Sequence, residues 1–232
     1  MMALGAASWR RGGAAPPGPG NFPIWLGATI TPDNVSISTS HQVDMPAVVS
    51  AGDLLVVIFA SDSNTSVGIP SGWTLLDSQS GGSTRTRGTW AYKVAEGTEA
   101  GGAVTFTTSS NERSSAICIR VQVGTYSGAP EISVSLGEDK NPDPPLLSPS
   151  SGAGDYLWIA SYCQESRQPT PPSYPFPDGN AVTSTGSNDT NMATCGCCYT
   201  EEVTSSMDPG VFTLYTDFMR NWVAATIAVR GA

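Results

Sequence analysis

Asp53-Leu-Leu-Val-Val-Ile-Phe-Ala60 is continuously apolar, rich in β-branched residues, and entered through Gly52. A run of that length and make-up is the pattern of a strand buried on both sides. It recurs, since Ala51-Gly-Asp-Leu-Leu-Val-Val-Ile58 is echoed by Ala153-Gly-Asp-Tyr-Leu-Trp-Ile-Ala160. Later segments recur in the same order. Pro70-Ser-Gly-Trp73 is echoed by Pro172-Ser-Tyr174, and Ala91-Tyr92 by Cys198-Tyr199. Val104-Thr-Phe-Thr107 is echoed by Val211-Phe-Thr-Leu214, and Ala116-Ile-Cys-Ile-Arg120 by Thr226-Ile-Ala-Val-Arg230. One order at a nearly constant offset indicates a duplicated strand series.

Between these signposts the alternation is that of half-buried strands. Thr84 to Val94 sets Trp90 and Tyr92 against Thr89, Ala91 and Lys93, while Ala116 to Val123 sets Ile117, Ile119, Val121 and Val123 against Cys118, Arg120 and Gln122. Gly72–Asp77 and Val104–Thr107 read as shorter strands. With 25 Gly and 18 Pro the chain is poor material for long helices. Glu138-Asp-Lys-Asn-Pro-Asp-Pro-Pro145 carries three prolines and cannot lie inside a sheet, because Pro lacks the ladder donor. It therefore reads as a crossing between the two halves. A half of about 75 residues is small for a core of its own. The expected architecture is all-β: one antiparallel, jelly-roll-like β-sandwich over residues 23–232, made of two interlocked halves at about 51–123 and 153–232, preceded by an extended Gly/Ala/Pro-rich arm over 1–22.

Charge narrows the functions. Asp, Glu, Lys and Arg make up 13% of the 232 residues, about half the usual share. The balance of 11 basic against 20 acidic residues gives −9, which disfavours nucleic acid as a partner because phosphates need clustered cations. The best apolar run, Leu54 to Ala60, is far shorter than the ~20 residues of a membrane span. A lone histidine, His41, leaves little room for His-based catalysis or His-ligated metal. The cysteines, Cys118, Cys163, Cys195, Cys197 and Cys198, are odd in number and unevenly spaced, which is no disulfide framework and fits folding in a reducing cytoplasm. Cys195 and Cys197 share a strand face opposite Cys198, and the second ligand pair of a zinc site is missing. They are expected to be small core residues, with no metal or cofactor.

Catalytic constellations are equally thin. A glycosidase needs two carboxylates about 5–10 Å apart; Glu96, Glu99, Glu201 and Glu202 supply acids, but no spacing selects two of them. They read as solvated turn charges. A Ser-His-Asp triad would rest wholly on His41. Asp53 and Asp155 each follow Gly at a strand entrance, where turn hydrogen bonding is the ordinary role. Trp73, Tyr92, Trp158 and Trp222 fall in strand patterns and are expected in the core. Cys163–Thr194 lacks periodicity and is expected to be a long exposed loop, of the kind that binds partners. Within it, Tyr174 and Phe176 are the rings that could meet a carbohydrate. At the N-terminus Arg10 and Arg11 follow the short apolar stretch instead of preceding it, unlike a secretory signal. Pro16, Pro17 and Pro19 favour extended backbone. Trp9, Arg10 and Arg11, with Phe22 and Trp25, are the candidate partner contacts of the arm, Trp and Arg being enriched in interface hot spots.

Taken together, Ala-Gly-Asp-x-Leu, Pro-Ser-Gly-Trp73-Thr-Leu-Leu, Trp90-Ala-Tyr-Lys93-Val-Ala and Ala103-Val-Thr-Phe-Thr107 resemble a β-sandwich family common among structural proteins of tailed-phage virions. Asn141-Pro-Asp-Pro-Pro145, Asp208-Pro-Gly-Val-Phe-Thr213 and Trp222-Val-Ala-Ala-Thr-Ile-Ala-Val-Arg230 carry the likeness through the second half. It runs from about Ala51 to the C-terminus; the arm and the Cys195–Cys198 cluster fall outside it. The resemblance implies a non-enzymatic virion component, foremost a capsid decoration (cement) protein on the outer shell, assembled in the bacterial cytoplasm. Its partners would be the major capsid protein and copies of itself, with the arm bridging capsomers. The alternative it implies is a tail or baseplate appendage that binds host surface glycans through the 163–194 loop.

Overall fold

The computed structural model describes residues 20–32, 37–81, 86–165, 173–176, 181–184, 192–213 and 220–232. Every regular element among the described residues is a strand, and every ladder is antiparallel. The first half supplies β1 (Trp25–Thr31), β2 (Ser38–Asp44), β3 (Leu54–Ser61), β4 (Val67–Gly68), β5 (Thr74–Gly81), β6 (Thr86–Val94), β7 (Ala103–Glu112) and β8 (Ser114–Val121). The second supplies β9 (Tyr126–Asp139), β10 (Gly154–Glu165), β11 (Ala181–Ser184), β12 (Ala193–Thr204) and β13 (Arg220–Gly231). They form two five-stranded sheets, β1-β8-β3-β6-β5 and β11-β12-β10-β13-β9, and a three-stranded sheet, β2-β7-β4.

The duplication is visible in this order. When β1, β3, β5, β6 and β8 are numbered first to fifth, the first large sheet reads first-fifth-second-fourth-third; β9 to β13 give the same reading. Even the outer cover is repeated in outline. In the first half β7 is flanked by β2 and β4, while in the second the segment 207–213 is bridged on its two sides by Leu147 (to Met207) and Ser173 (to Thr213). Each large sheet is drawn from one half, so the halves face each other without interlocking. The antiparallel sandwich expected from sequence is present, and its two layers are these sheets.

Burial explains why β3 carries no polar alternation. Leu54, Val56, Ile58 and Ala60 point into the central core between the large sheets, where they meet Ile117, Ile119, Leu157, Ile159, Val223 and Ile227. Leu55, Val57 and Phe59 point the other way, under the small sheet, against Val43, Phe106 and Cys118. β10 is likewise covered on both sides, with Leu157 and Ile159 central and Tyr156, Trp158 and Tyr162 beneath Phe176, Met207 and Phe212. Full burial of one such aliphatic side chain contributes about 1.5–3 kcal/mol, so both strands are held from two faces. Across the central core the Trp90 indole N–H donates to Ser161 Oγ at 3.0 Å, which satisfies a donor that burial would otherwise leave unpaired.

Two expectations change. Cys163–Thr194 is not one exposed loop: β10 runs on to Glu165, β12 begins at Ala193, and the pairs Cys163↔Cys195, Gln164↔Thr194 and Glu165↔Ala193 extend the ladder. Both strand ends are buried, and β11 lies between them against β12. Their Ser, Thr and Gln residues hide a strand that reveals itself only through its partners. Similarly, the crossing between halves starts later than Glu138, because the fourteen-residue β9 includes Glu138 and Asp139 and pairs with β13.

Candidate functional site

Two places concentrate chemistry outside the cores, and the first is the pole where residues 20–24 meet the C-terminal residues. The Asn21 N–H donates to the Asp155 carboxylate at 2.7 Å and the Ile24 N–H to Thr125 Oγ1 at 3.0 Å. The Ile24 carbonyl accepts from Gln122 N–H (2.9 Å), and the Ala232 N–H donates to the Thr125 carbonyl (3.3 Å). The Asn21 carbonyl sits so close to Gly231 that a Cβ there would collide with it. Gly20, Asn21, Phe22, Thr125 and Ala232 line a cleft of about 420 Å³ at this pole. The N-terminal segment is thus fastened to the body from Asn21 onward.

Of the proposed arm contacts, Trp9, Arg10 and Arg11 lie outside the described residues. Phe22 is half-buried beside the cleft. Trp25 belongs to the body: it opens β1, and its ring stacks on Tyr199 of β12 at 4.4 Å and 16°, tying the edge strand of the first large sheet to the second sheet. The expected arm therefore gives up its last residues to the sandwich, because an indole that can cover a core edge gains more there than in water. The glycan pair also changes. Phe176 is only 7% exposed and packs in the outer core of the second sheet, while half-buried Tyr174 meets Phe212 edge-on at 6.1 Å. A strand as apolar on both faces as β10 needs a cover, and Phe176 is part of it.

The other candidates take structural places. Trp158 and Trp222 are buried, and Trp73 and Tyr92 are half-buried against cores. Cys163, Cys195 and Cys197 face the central core and Cys198 the outer one, as the strand alternation requires. All five thiols are free and buried, and loss of solvent pushes those of Cys118, Cys195 and Cys198 up to about 12. Glu99 is a turn clamp: Lys93 Nζ lies 2.9 Å from it and 3.2 Å from Glu96. Burial would raise the Glu99 carboxyl, yet Lys93 and the Glu96 N–H hold it down at about 2. Glu201 and Glu202 are exposed on β12. Asp53, by contrast, is fully buried. Its carboxylate accepts from Ser50 N–H (2.7 Å), Val123 N–H (3.0 Å) and Arg120 Nε (2.6 Å).

The second place was not legible in sequence: the seam where the small sheet meets the first large one. His41 of β2 is 1% exposed. Its Nε2 hydrogen-bonds Thr108 Oγ1 of β7 and its Nδ1 hydrogen-bonds Ser114 Oγ of β8, each at 2.8 Å. Burial lowers its pKa, while Glu112 works in the opposite direction. Beside it, Asp62 follows β3 and Glu112 ends β7, their side chains within hydrogen-bonding reach of each other. Arg113, at the β7–β8 corner, donates its N–H to Asp62 Oδ1 (2.8 Å) and accepts from the Asp62 N–H (3.2 Å). Ser63 Oγ and Ser110 Oγ both donate to Glu112 Oε1, at 2.9 and 2.6 Å. Burial, together with Glu112 and against the Arg113 N–H, raises the Asp62 carboxyl to about 6. A Ser-His pair occurs here, but hydroxyls engage both ring nitrogens under full burial, so no substrate carbonyl can reach it. Asp62 and Glu112 are fifty positions apart, and no local spacing announces them.

Compared with protein-family models, curated proteins and solved structures, the chain finds no match.

Proposed function

We propose that this chain is a non-enzymatic structural protein of a tailed-phage virion, a decoration protein that binds the outside of the capsid shell and stabilises it by bridging subunits. The observation that carries the reading is the polar anchorage. A Gly/Ala/Pro-rich segment with Trp9, Arg10 and Arg11 precedes Asn21, whose N–H is held on the β body by the Asp155 carboxylate. An extended segment held at one end by a stable body can lie across neighbouring subunits and bury area without a core of its own. The body suits repeated contacts: the outward face of the small sheet presents Ser40, Gln42, Thr107 and Ser109, neutral hydrogen-bonding groups with little charge to desolvate. Copies of the chain and the major capsid protein are the partners in this reading, and the capsid exterior is its place.

The test is occupancy on particles. Mass spectrometry and electron cryomicroscopy of virions carrying this chain should find hundreds of copies on the shell; a few to a few dozen at the tail would refute the decoration role. Deleting residues 1–19 keeps the Asn21 anchorage, so the variant should fold but fail to bind shells. Unchanged binding by that variant would refute the bridging arm.

A further inference from the structure

We infer that a bulge in β9 forms a binding cleft for a small acidic sugar, a hexuronate, with Arg230 as the residue that takes its carboxylate. The inference rests on the duplication and stands apart from the virion reading. In the first half Asp53 lies on the outer face of β3 with Leu55, and Arg120, which pairs with Leu55, reaches its carboxylate at 2.6 Å. Arg230 is the matching residue of the second half, and it shares the outer face of β13 with Ala228. The matching carboxylate turns away. Tyr156 packs in the outer core, so the unbroken alternation of β10 sends the preceding Asp155 to the opposite face, where it accepts the Asn21 N–H. Gly154 runs beside Arg230, where a Cβ would stand 3.6 Å from Nε, and has no side chain to offer. Among the described residues Arg230 keeps one long bond, from Nη1 to the Ser151 carbonyl at 3.5 Å, and no ion pair.

An interruption of the β9–β13 ladder makes the cleft. Ser127 pairs with Arg230 and Glu131 with Ala228, so Gly128, Ala129 and Pro130 bulge out opposite Val229 alone. Gly128 turns the chain at φ +73°, where glycine is unstrained, and Pro130 has no N–H to return to the ladder. The bulge and the Ser150–Ser151 turn enclose about 430 Å³, with Arg230 and Glu131 both on the wall, a volume in the range of small-molecule clefts. A cation and an anion in one cleft select the ligand. Glu131 is held in place by Ser150, whose N–H and hydroxyl donate to it at 2.9 and 3.0 Å. Its remaining lone pairs accept hydroxyl donors and repel a bare anion. The Arg230 fork matches a carboxylate in two parallel hydrogen bonds, and the exposed hydroxyls of Ser127 and Ser151 stand at the rim. A neutral sugar leaves the guanidinium unanswered, and a simple carboxylate gains nothing from Glu131; a uronate answers both.

NMR titration of the full chain with sodium glucuronate and galacturonate, at constant ionic strength, reads the site through the amide shifts of Gly128, Ala129, Ser151 and Arg230. At least one of the two uronates should saturate these shifts. Glucose and acetate should each bind about tenfold or more weakly than that uronate, since each forgoes the charged hydrogen bonds of one side chain. Arg230→Gln, with its fold checked by unchanged shifts in β3 and β8, should bring the uronate down to the affinity of glucose. The wild-type protein decides the matter even without the variant. No saturable shift with either uronate, equal binding of glucose or acetate, or tighter binding of glycine as a zwitterion overturns the inference, and so does undiminished uronate binding by Arg230→Gln.

Discussion

Asp53→Asn is the substitution that probes the fold most sharply. Asp53 Oδ2 receives the Ser50 N–H and Arg120 Nε, and Oδ1 receives the Val123 N–H. One carboxylate thereby joins the turn before β3, the end of β8 and the chain leaving it. An asparagine keeps one acceptor and turns an NH2 toward at least one of these donors, while Arg120 loses its counter-charge. Removing one partner of a buried pair costs about 3–5 kcal/mol. The Arg120 side chain retains 15% exposure and can partly rehydrate, which places the expectation near the lower end, about 3 kcal/mol. For a chain of this size the urea m-value is about 3 kcal/mol/M, so the midpoint should fall by about 1 M at constant slope. Arg120→Met should cost a similar amount, and the double variant clearly less than the sum, with a coupling of about 2 kcal/mol. The pH response follows from the same contacts. Burial alone would raise the Asp53 carboxyl, but the two N–H groups and Arg120 outweigh it and leave it below the ordinary value. Its contribution is then present above pH about 4 and lost as pH falls through the depressed native value, and Asp53→Asn should flatten that acid limb. A midpoint within 0.3 M of wild type, or strictly additive single costs, would refute the reasoning.

Other outcomes follow from named contacts. Ser161→Ala leaves the Trp90 indole N–H unpaired in the central core and should cost about 1–3 kcal/mol by chemical denaturation; no loss would mean that the bond across the core contributes nothing. At Gly196 a Cβ would stand 2.5 Å from the Tyr162 ring, so Gly196→Ala should destabilise by about 1–3 kcal/mol, whereas a neutral result would show that the ring moves aside. The five buried thiols should ignore a disulfide thiol reagent in the native protein and all react on unfolding; rapid native labelling would contradict the burial. Glu99→Gln removes a carboxyl held at about 2 by Lys93, and wild type should lose stability relative to this variant as pH falls from about 4.5 toward 2, as thermal melts can measure.

The duplicated strands were readable because burial on two faces leaves an unmistakable run in β3, and because Ala-Gly-Asp repeats at Asp155. The opposed faces of Cys195 and Cys198 followed from the period of two. Yet the repeat is not chemical identity. Asp53 forms a buried ion pair, whereas its counterpart Asp155 accepts the Asn21 N–H. β9 and the ends of β10 and β12 escaped detection because small polar residues in a strand are distinguished from a loop only by the ladder beside them. Trp25 and Phe176 were misplaced for a related reason: an aromatic ring near a Pro-rich stretch looks exposed until a core edge that needs covering is brought to it.

Composition and periodicity alone determined that this chain is all-β, antiparallel and twice repeated, because side-chain alternation is a local property of each strand. Tertiary structure decided which half forms which sheet and where Asn21, Ile24 and Ala232 are fastened. It also brought Asp62, Glu112 and His41 to one seam. Contacts between residues fifty or more positions apart depend on how sheets stack, and stacking is set by the sum of buried surfaces, not by any one segment.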